Sequence, residues 1–277
     1  MMNTDEQLDR AFEFLEGPQK DIYQAISLFE QLARNGNMVA QFALGEIYWN
    51  GNDQIEQNNE LAIYWYSLAG ESGHPLVQLW LGNNYCIGIR SSPDAEKAVY
   101  WYTKAAANNV VLAQYHLGIC YHTGWGVARD EERAFSWIKK AADQGFLDAE
   151  LFVSAAYKSG VGVPGDLDKY HRLSKAILER YESLAFTMTD VALSLSKALL
   201  SGYGVDRNPA LAVRILSAVQ IKNHVECMLL LSDCYEKGIG VEKDIETAYQ
   251  ILKRLSSESN IARNKMKLLS IKYDLDD

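Results

Sequence analysis

Positive charge is in short supply here. Lys and Arg total 27 against 36 Asp and Glu, giving a net charge of −9. Binding nucleic acid through its phosphates needs a basic footprint, so no nucleic-acid partner is expected. The acidity names no other partner, because it also serves solubility. Proline is scarce, five in 277 residues, as expected of a mainly helical chain. No apolar run approaches the ~20 residues of a membrane span. The start, Met1 to Glu16, is polar and acidic rather than a basic stretch leading into an apolar one, so no secretory leader is expected.

Cysteines number four and form no framework. Cys227 and Cys234 lie seven apart on one expected helix, and Cys86 and Cys120 fall at different phases of the pattern described below. This usage points to free thiols in a reducing cytosol, hence a cytoplasmic protein. A Cys86–Cys120 bridge would need a Cα separation that sequence does not supply. His116 and Cys120 stand four apart, a spacing that places two metal ligands on one helix face, but no third ligand accompanies them. Nucleophile elbow, phosphate loop and zincin motif are all absent. Gly124-Trp125-Gly126 follows a helix, not a strand, so it is no dinucleotide loop. No catalytic residue, metal or cofactor is expected.

What the chain does have is repetition. Gly51, Gly88, Gly124, Gly160, Gly202 and Gly238 are separated by 37, 36, 36, 42 and 36 residues. The unit is clearest from Ala113 to Gly145. Ala113, Leu117 and Tyr121 share one helical face, and Gly124 with Gly126 stops the helix as left-handed caps. Val127 turns the loop toward the core, and Asp130 N-caps a second helix with Glu131 and Glu132 in its first turn. Gly118 costs helix propensity, about 1 kcal/mol against Ala, and its return is close approach by a neighbouring helix.

Leu-Gly-x-x-Tyr recurs as Leu44-Gly45 with Tyr48, Leu81-Gly82 with Tyr85, and Leu117-Gly118 with Tyr121; Ser154, Ser196 and Ser232 replace the glycine later. Trp65, Trp101 and Trp137 share one phase of the second helix and are expected in the core. Asp21 with Gln24 resembles a capping box in a more divergent first unit. The spacing of 42 leaves six extra residues around Leu178 to Asp190, read either as drift or as a functional insertion. The resulting division is one solenoid over 1–277: a degenerate repeat at 5–39, matched repeats at about 40–76, 77–112, 113–148, 149–190, 191–225 and 226–261, and a closing helix at 262–272.

The period, the Leu-Gly-x-x-Tyr helix, the Lys140-Ala141-Ala142 ending and the Gly-x-Gly-Val loops resemble Sel1-like repeats, relatives of the tetratricopeptide repeat. Those loops are Gly124-Trp125-Gly126-Val127, Gly160-Val161-Gly162-Val163, Gly202-Tyr203-Gly204-Val205 and Gly238-Ile239-Gly240-Val241. Gly51-Asn52-Asp53-Gln54 and Gly88-Ile89-Arg90-Ser91 depart from the pattern. The resemblance implies an all-α, right-handed α/α solenoid with a concave groove. It also implies a non-catalytic protein-binding role, as a bacterial adaptor or an immunity-type protein that captures a toxin or effector. A cysteine-rich branch linked to β-lactam hydrolysis supplies the alternative, a hydrolase or small-molecule binder. That branch carries a cysteine pair in most repeats, which this chain lacks.

By analogy with tetratricopeptide geometry, the groove takes the positions two before, two after, five after and six after the Leu of each first helix. The candidate partner-binding residues are Phe42, Glu46, Trp49, Asn83, Tyr115, Ile119, His122 and Lys158. Trp49 corresponds to Cys86, His122, Lys158, Leu200 and Glu236 in the other repeats, a position that tolerates charge. It is read either as an interface anchor or as a ring packed over the Gly51 loop. The convex face, a terminus or the 178–190 stretch stand as other places for a partner.

Overall fold

The computed structural model describes residues 3–18, 20–89, 92–219 and 224–275, and among them the chain is all-helical, with fifteen α-helices and no strand. It divides into two compact units, Met1–Lys140 and Ala141–Asp277. The first holds α1 (Thr4–Glu16), α2 (Ile22–Arg34), α3 (Met38–Asn50), α4 (Asn59–Glu71), α5 (Pro75–Ile87), α6 (Ala95–Ala107), α7 (Val111–Thr123) and most of α8 (Glu131–Ala142). The second holds α9 (Leu147–Ser159), α10 (Leu167–Ala185), α11 (Thr189–Ser201), α12 (Pro209–Val219), α13 (Val225–Lys237), α14 (Ile245–Leu255) and α15 (Asn260–Tyr273).

Short polar side chains start the second helix of each hairpin. Asn58, Asp94, Asp130, Asp166, Asn208 and Asp244 each accept a hydrogen bond from the N–H three residues on. Such a cap contributes ~1 kcal/mol by satisfying a donor the helix leaves open. Asp21 caps α2 in the same way, but the Gln24 amide turns to the Asp21 carboxylate. The Asp21 N–H donates instead to the carbonyl of Phe14, which closes the α1–α2 turn. The reciprocal box is found one helix earlier, between Asn3 and Glu6.

First helices end on glycine. Gly88, Gly124, Gly160, Gly202 and Gly238 are left-handed caps with φ between 68° and 77°. Gly126, Gly162, Gly204 and Gly240 follow at φ 69°, 69°, 71° and 73°. Gly51 has φ 63° with an extended ψ of 176°, and the Asn52 side chain accepts from the N–H groups of Gln54 and Ile55, so this loop has a different shape. Arg90 and Ser91 of the second atypical loop, and residues 220–223 between α12 and α13, lie outside the described residues.

A buried glutamine recurs three residues before each of the first three Leu positions. Gln41, Gln78 and Gln114 donate to the carbonyls of Ala33, Gly70 and Ala106 at the end of the preceding helix. The same carbonyls also accept from the N–H groups of Gly36, Gly73 and Asn109, so each glutamine adds a second bond at the helix end and finds a partner for its own buried amide. The six extra residues lengthen α10 to 19 residues, where the other helices have 11 to 14. Trp65 and Trp101 are buried, whereas Trp137 is only half-buried, with the Lys140 ammonium 3.9 Å over its ring. The next residue, Ile138, is buried as Tyr66 and Tyr102 are at the same phase of the earlier hairpins.

Candidate partner-binding surface

The glycine after each early Leu makes room for a side chain. A Cβ at Gly45 would lie inside the Tyr66 ring, one at Gly82 inside the Tyr102 ring, and one at Gly118 on Ile138. With its ring seated there, the Tyr66 hydroxyl donates to Glu46 Oε1 at 2.5 Å, and the Tyr102 hydroxyl to Asn83 Oδ1 at 2.9 Å. Burial, reinforced by the Glu46 carboxylate, pushes the Tyr66 hydroxyl far above its ordinary range, so it stays a donor at neutral pH. Burial does the same for Tyr102. Two candidate polar groups are thereby oriented by the fold. The third hairpin, with Ile138 facing Gly118, has no such hydroxyl for Ile119.

Tyr66 is also the hub of an aromatic cluster. Its centroid lies 4.4 Å from Trp80, 6.0 Å from Phe42 and 6.4 Å from Trp49. Trp49 stands edge-on to Trp80 at 4.8 Å, an arrangement that aromatic quadrupoles favour. The Trp49 carbonyl accepts from Gln57 Nε2 at 2.6 Å. Phe42 stacks on His74 at 5.2 Å. Phe42, Trp49 and Trp80 are all half-buried. Trp80 was not among the sequence-derived candidates. Its signal was positional: it precedes Leu81 as His116 precedes Leu117, and His116 stacks on Tyr102 at 5.2 Å just as Trp80 packs on Tyr66.

The remaining candidates are less concentrated. Tyr115 is half-buried with its ring 5.9 Å from His116, whose burial lowers its pKa and keeps it neutral. His122 Nδ1 lies 2.7 Å from Glu131 Oε2. Burial opposes charge on Glu131, yet hydrogen bonds from His122 and Arg129 hold its carboxyl below the usual range. Phe42, Glu46, Trp49, Asn83, Tyr115, Ile119 and His122 belong to the first unit, and the first three gather around Tyr66. Lys158 belongs to the second unit. Its ammonium lies 4.6 Å over the Tyr170 ring and 3.2 Å from the Tyr170 hydroxyl, which donates to Asp206.

Phe42 and Glu46 also open onto a cleft of about 580 Å³ whose other wall comes from α1, with Phe12, Leu15 and Glu16. The divergent first hairpin thus contributes to the surface, which the repeat pattern did not indicate.

This geometry can be set beside known proteins. The Sel1 repeat profile matches residues 8–37, 39–74, 75–110, 111–146, 189–217 and 225–260, well over half of the chain. The chain belongs to the Sel1 repeat family. The stretch from 147 to 188, which includes the long α10, is unmatched. A Sel1 repeat protein from Oxalobacter formigenes has a similar structure, with a TM-score of 0.66 and 26% identity over 96% of this chain and 77% of its own. The antigen c5321 of uropathogenic Escherichia coli, described as a protective antigen with an SLR fold, gives 0.58 and 28%. That match covers 87% of this chain but half of c5321. An immunity protein of Pseudomonas aeruginosa is a weaker likeness, with a TM-score of 0.32 and 16% identity over 64% of this chain and 81% of its own. No protein curated for function matches the sequence. Sel1 repeats generally bind protein partners.

Among the described residues, no group of three or more His, Cys, Asp or Glu side chains could hold a metal, and no helix is long and apolar enough to cross a membrane. Cys120, Cys227 and Cys234 are buried and Cys86 is exposed, all four as free thiols. Burial pushes the Cys120 and Cys227 thiols up to about 11 and raises that of Cys234. Thiolate is the reactive form, so the native protein at pH 8 should release one equivalent of thionitrobenzoate from Ellman's reagent within minutes. Three more should follow only on denaturation. Four fast equivalents would contradict this packing.

Proposed function

We propose that this Sel1 repeat protein is a non-catalytic, bacterial, cytoplasmic protein of the immunity or adaptor type, which captures one cognate protein through the outward positions of its early first helices. The observation that supports this most is the half-buried cluster of Phe42, Trp49 and Trp80 held around Tyr66, with Glu46 and Asn83 fixed by tyrosine hydroxyls. Aromatic groups with oriented polar neighbours are what interface centres are made of, and fixing them before binding lowers the entropic cost of association.

The test is a paired measurement on Trp49→Ala and Tyr115→Ala, with affinity for the isolated partner by calorimetry and stability by thermal melt. An interface anchor should cost ~2 kcal/mol or more of binding, about thirtyfold in Kd. If both variants fold normally and bind as the parent does, the partner contacts another surface.

A further inference from the structure

The chain's acidity is not spread evenly. The first 60 residues hold eleven acidic side chains against three basic ones, a net −8 out of −9 for the whole chain. This part of the chain includes α1, α2, α3 and the loop after α3, which supply every residue lining the 580 Å³ cleft. Its floor is apolar, from Leu15, Ile22, Phe42 and Ile47, with Phe12 and Val39 36% and 40% exposed at its mouth. Glu16 and Glu46 stand on its rim.

The helix ends add to the negative field. Glu16 closes α1, and Asn50, at the end of α3, also lines the cleft; neither helix has a basic residue in its last turn. A helix C-terminus carries partial negative charge and favours cations. A carboxylate placed there opposes the dipole, so Glu16 does nothing for the stability of α1. The cleft combines an apolar floor with carboxylates and the ends of two helices whose last turns hold no basic residue, and its volume falls in the range of ligand pockets.

We infer that this cleft seats a basic amphipathic segment of a partner protein, an apolar anchor flanked by Lys or Arg. The inference rests on the protein-capture reading above and names the chemistry of what is captured. The apolar residue covers Leu15 and Phe42, and the flanking cations meet Glu16 and Glu46.

The probe is a fluorescein-labelled 14-residue amphipathic helix of Leu and Lys, titrated into the full chain by anisotropy, with its Leu/Glu counterpart as the charge control. Glu16→Gln/Glu46→Gln should weaken Leu/Lys binding at least tenfold. The Glu46→Gln change keeps an acceptor for Tyr66, and melting curves check the fold. Glu56→Gln/Glu60→Gln removes the same charge from the same acidic stretch outside the cleft lining and should cost less than threefold. Val39→Arg, at an exposed position, should weaken binding more than tenfold by placing a cation in the mouth.

Equal weakening by the two Glu pairs would reduce the effect to diffuse attraction and overturn the inference. Equal binding of the Leu/Glu peptide would do the same. So would self-association in sedimentation that Val39→Arg abolishes, since a second copy would then be the occupant. If these fail while Trp49→Ala or Tyr115→Ala still weakens a whole partner, the capture reading stands without the cleft.

Discussion

Gly126→Ala should cost the protein 3 kcal/mol or more, whereas Gly36→Ala should cost about 1 kcal/mol. Both glycines are left-handed, at φ 69° and 82°, where an L residue is disfavoured by ~1–2 kcal/mol. They differ in their surroundings. A Cβ at Gly36 meets nothing within 4 Å, but one at Gly126 falls on the carbonyl of Ala95, the first residue of α6. Backbone cannot step aside as a side-chain tip can. The loop after α7 must therefore lift off the hairpin before it, exposing the partly buried Val127 and Trp125 that pack against the α6–α7 cluster. Urea denaturation of the two variants separates the conformational part from the steric part. Equal shifts in midpoint would mean that loop-to-helix contact contributes nothing.

Gly82→Ser should destabilise by about 3 kcal/mol alone and by clearly less when combined with Tyr102→Leu. The added Cβ enters the Tyr102 ring, and overpacking of this kind costs roughly 1–3 kcal/mol. The later hairpins show the permitted alternative. Ser154, Ser196 and Ser232 replace the glycine, and the residues matching Tyr102 are Ser174, Leu216 and Leu252, all buried. Two residues in contact should couple, here by at least ~1 kcal/mol in a double-mutant cycle. Additive effects would show that glycine and ring do not share one space. Because Tyr102 also holds Asn83, the double variant should keep its fold yet lose the orientation of one outward polar group.

The Sel1 pattern was legible because it is local. A helix start needs a short acceptor side chain, so Asp94, Asp130, Asp166 and Asp244 announce theirs. A left-handed cap needs glycine, so Gly88 to Gly238 mark the period. Other features depend on what a neighbouring repeat offers. Trp49 shares its repeat position with Lys158 and Glu236, and nothing in its own repeat says whether the ring is free. Trp80, on the following first helix, and Tyr66 decide that it is half-buried and fixed.

Likewise the sequence shows glycine giving way to serine after Ser154, but only the packing of Tyr66, Tyr102 and Ile138 gives the cause. Trp137 follows the phase of Trp65 and Trp101, yet it is only half-buried, because burial is set by the shape of the facing surface. The cleft between α1 and α3 was invisible to periodicity for the same reason. It is made where the first hairpin departs from the repeat, and a pattern reports only what recurs. Composition and spacing therefore determined the helices, their ends and the family. Tertiary structure decided which outward side chains are held together, since that depends on distances between residues far apart in sequence, 14 positions for Tyr66 and Trp80 and 24 for Phe42 and Tyr66.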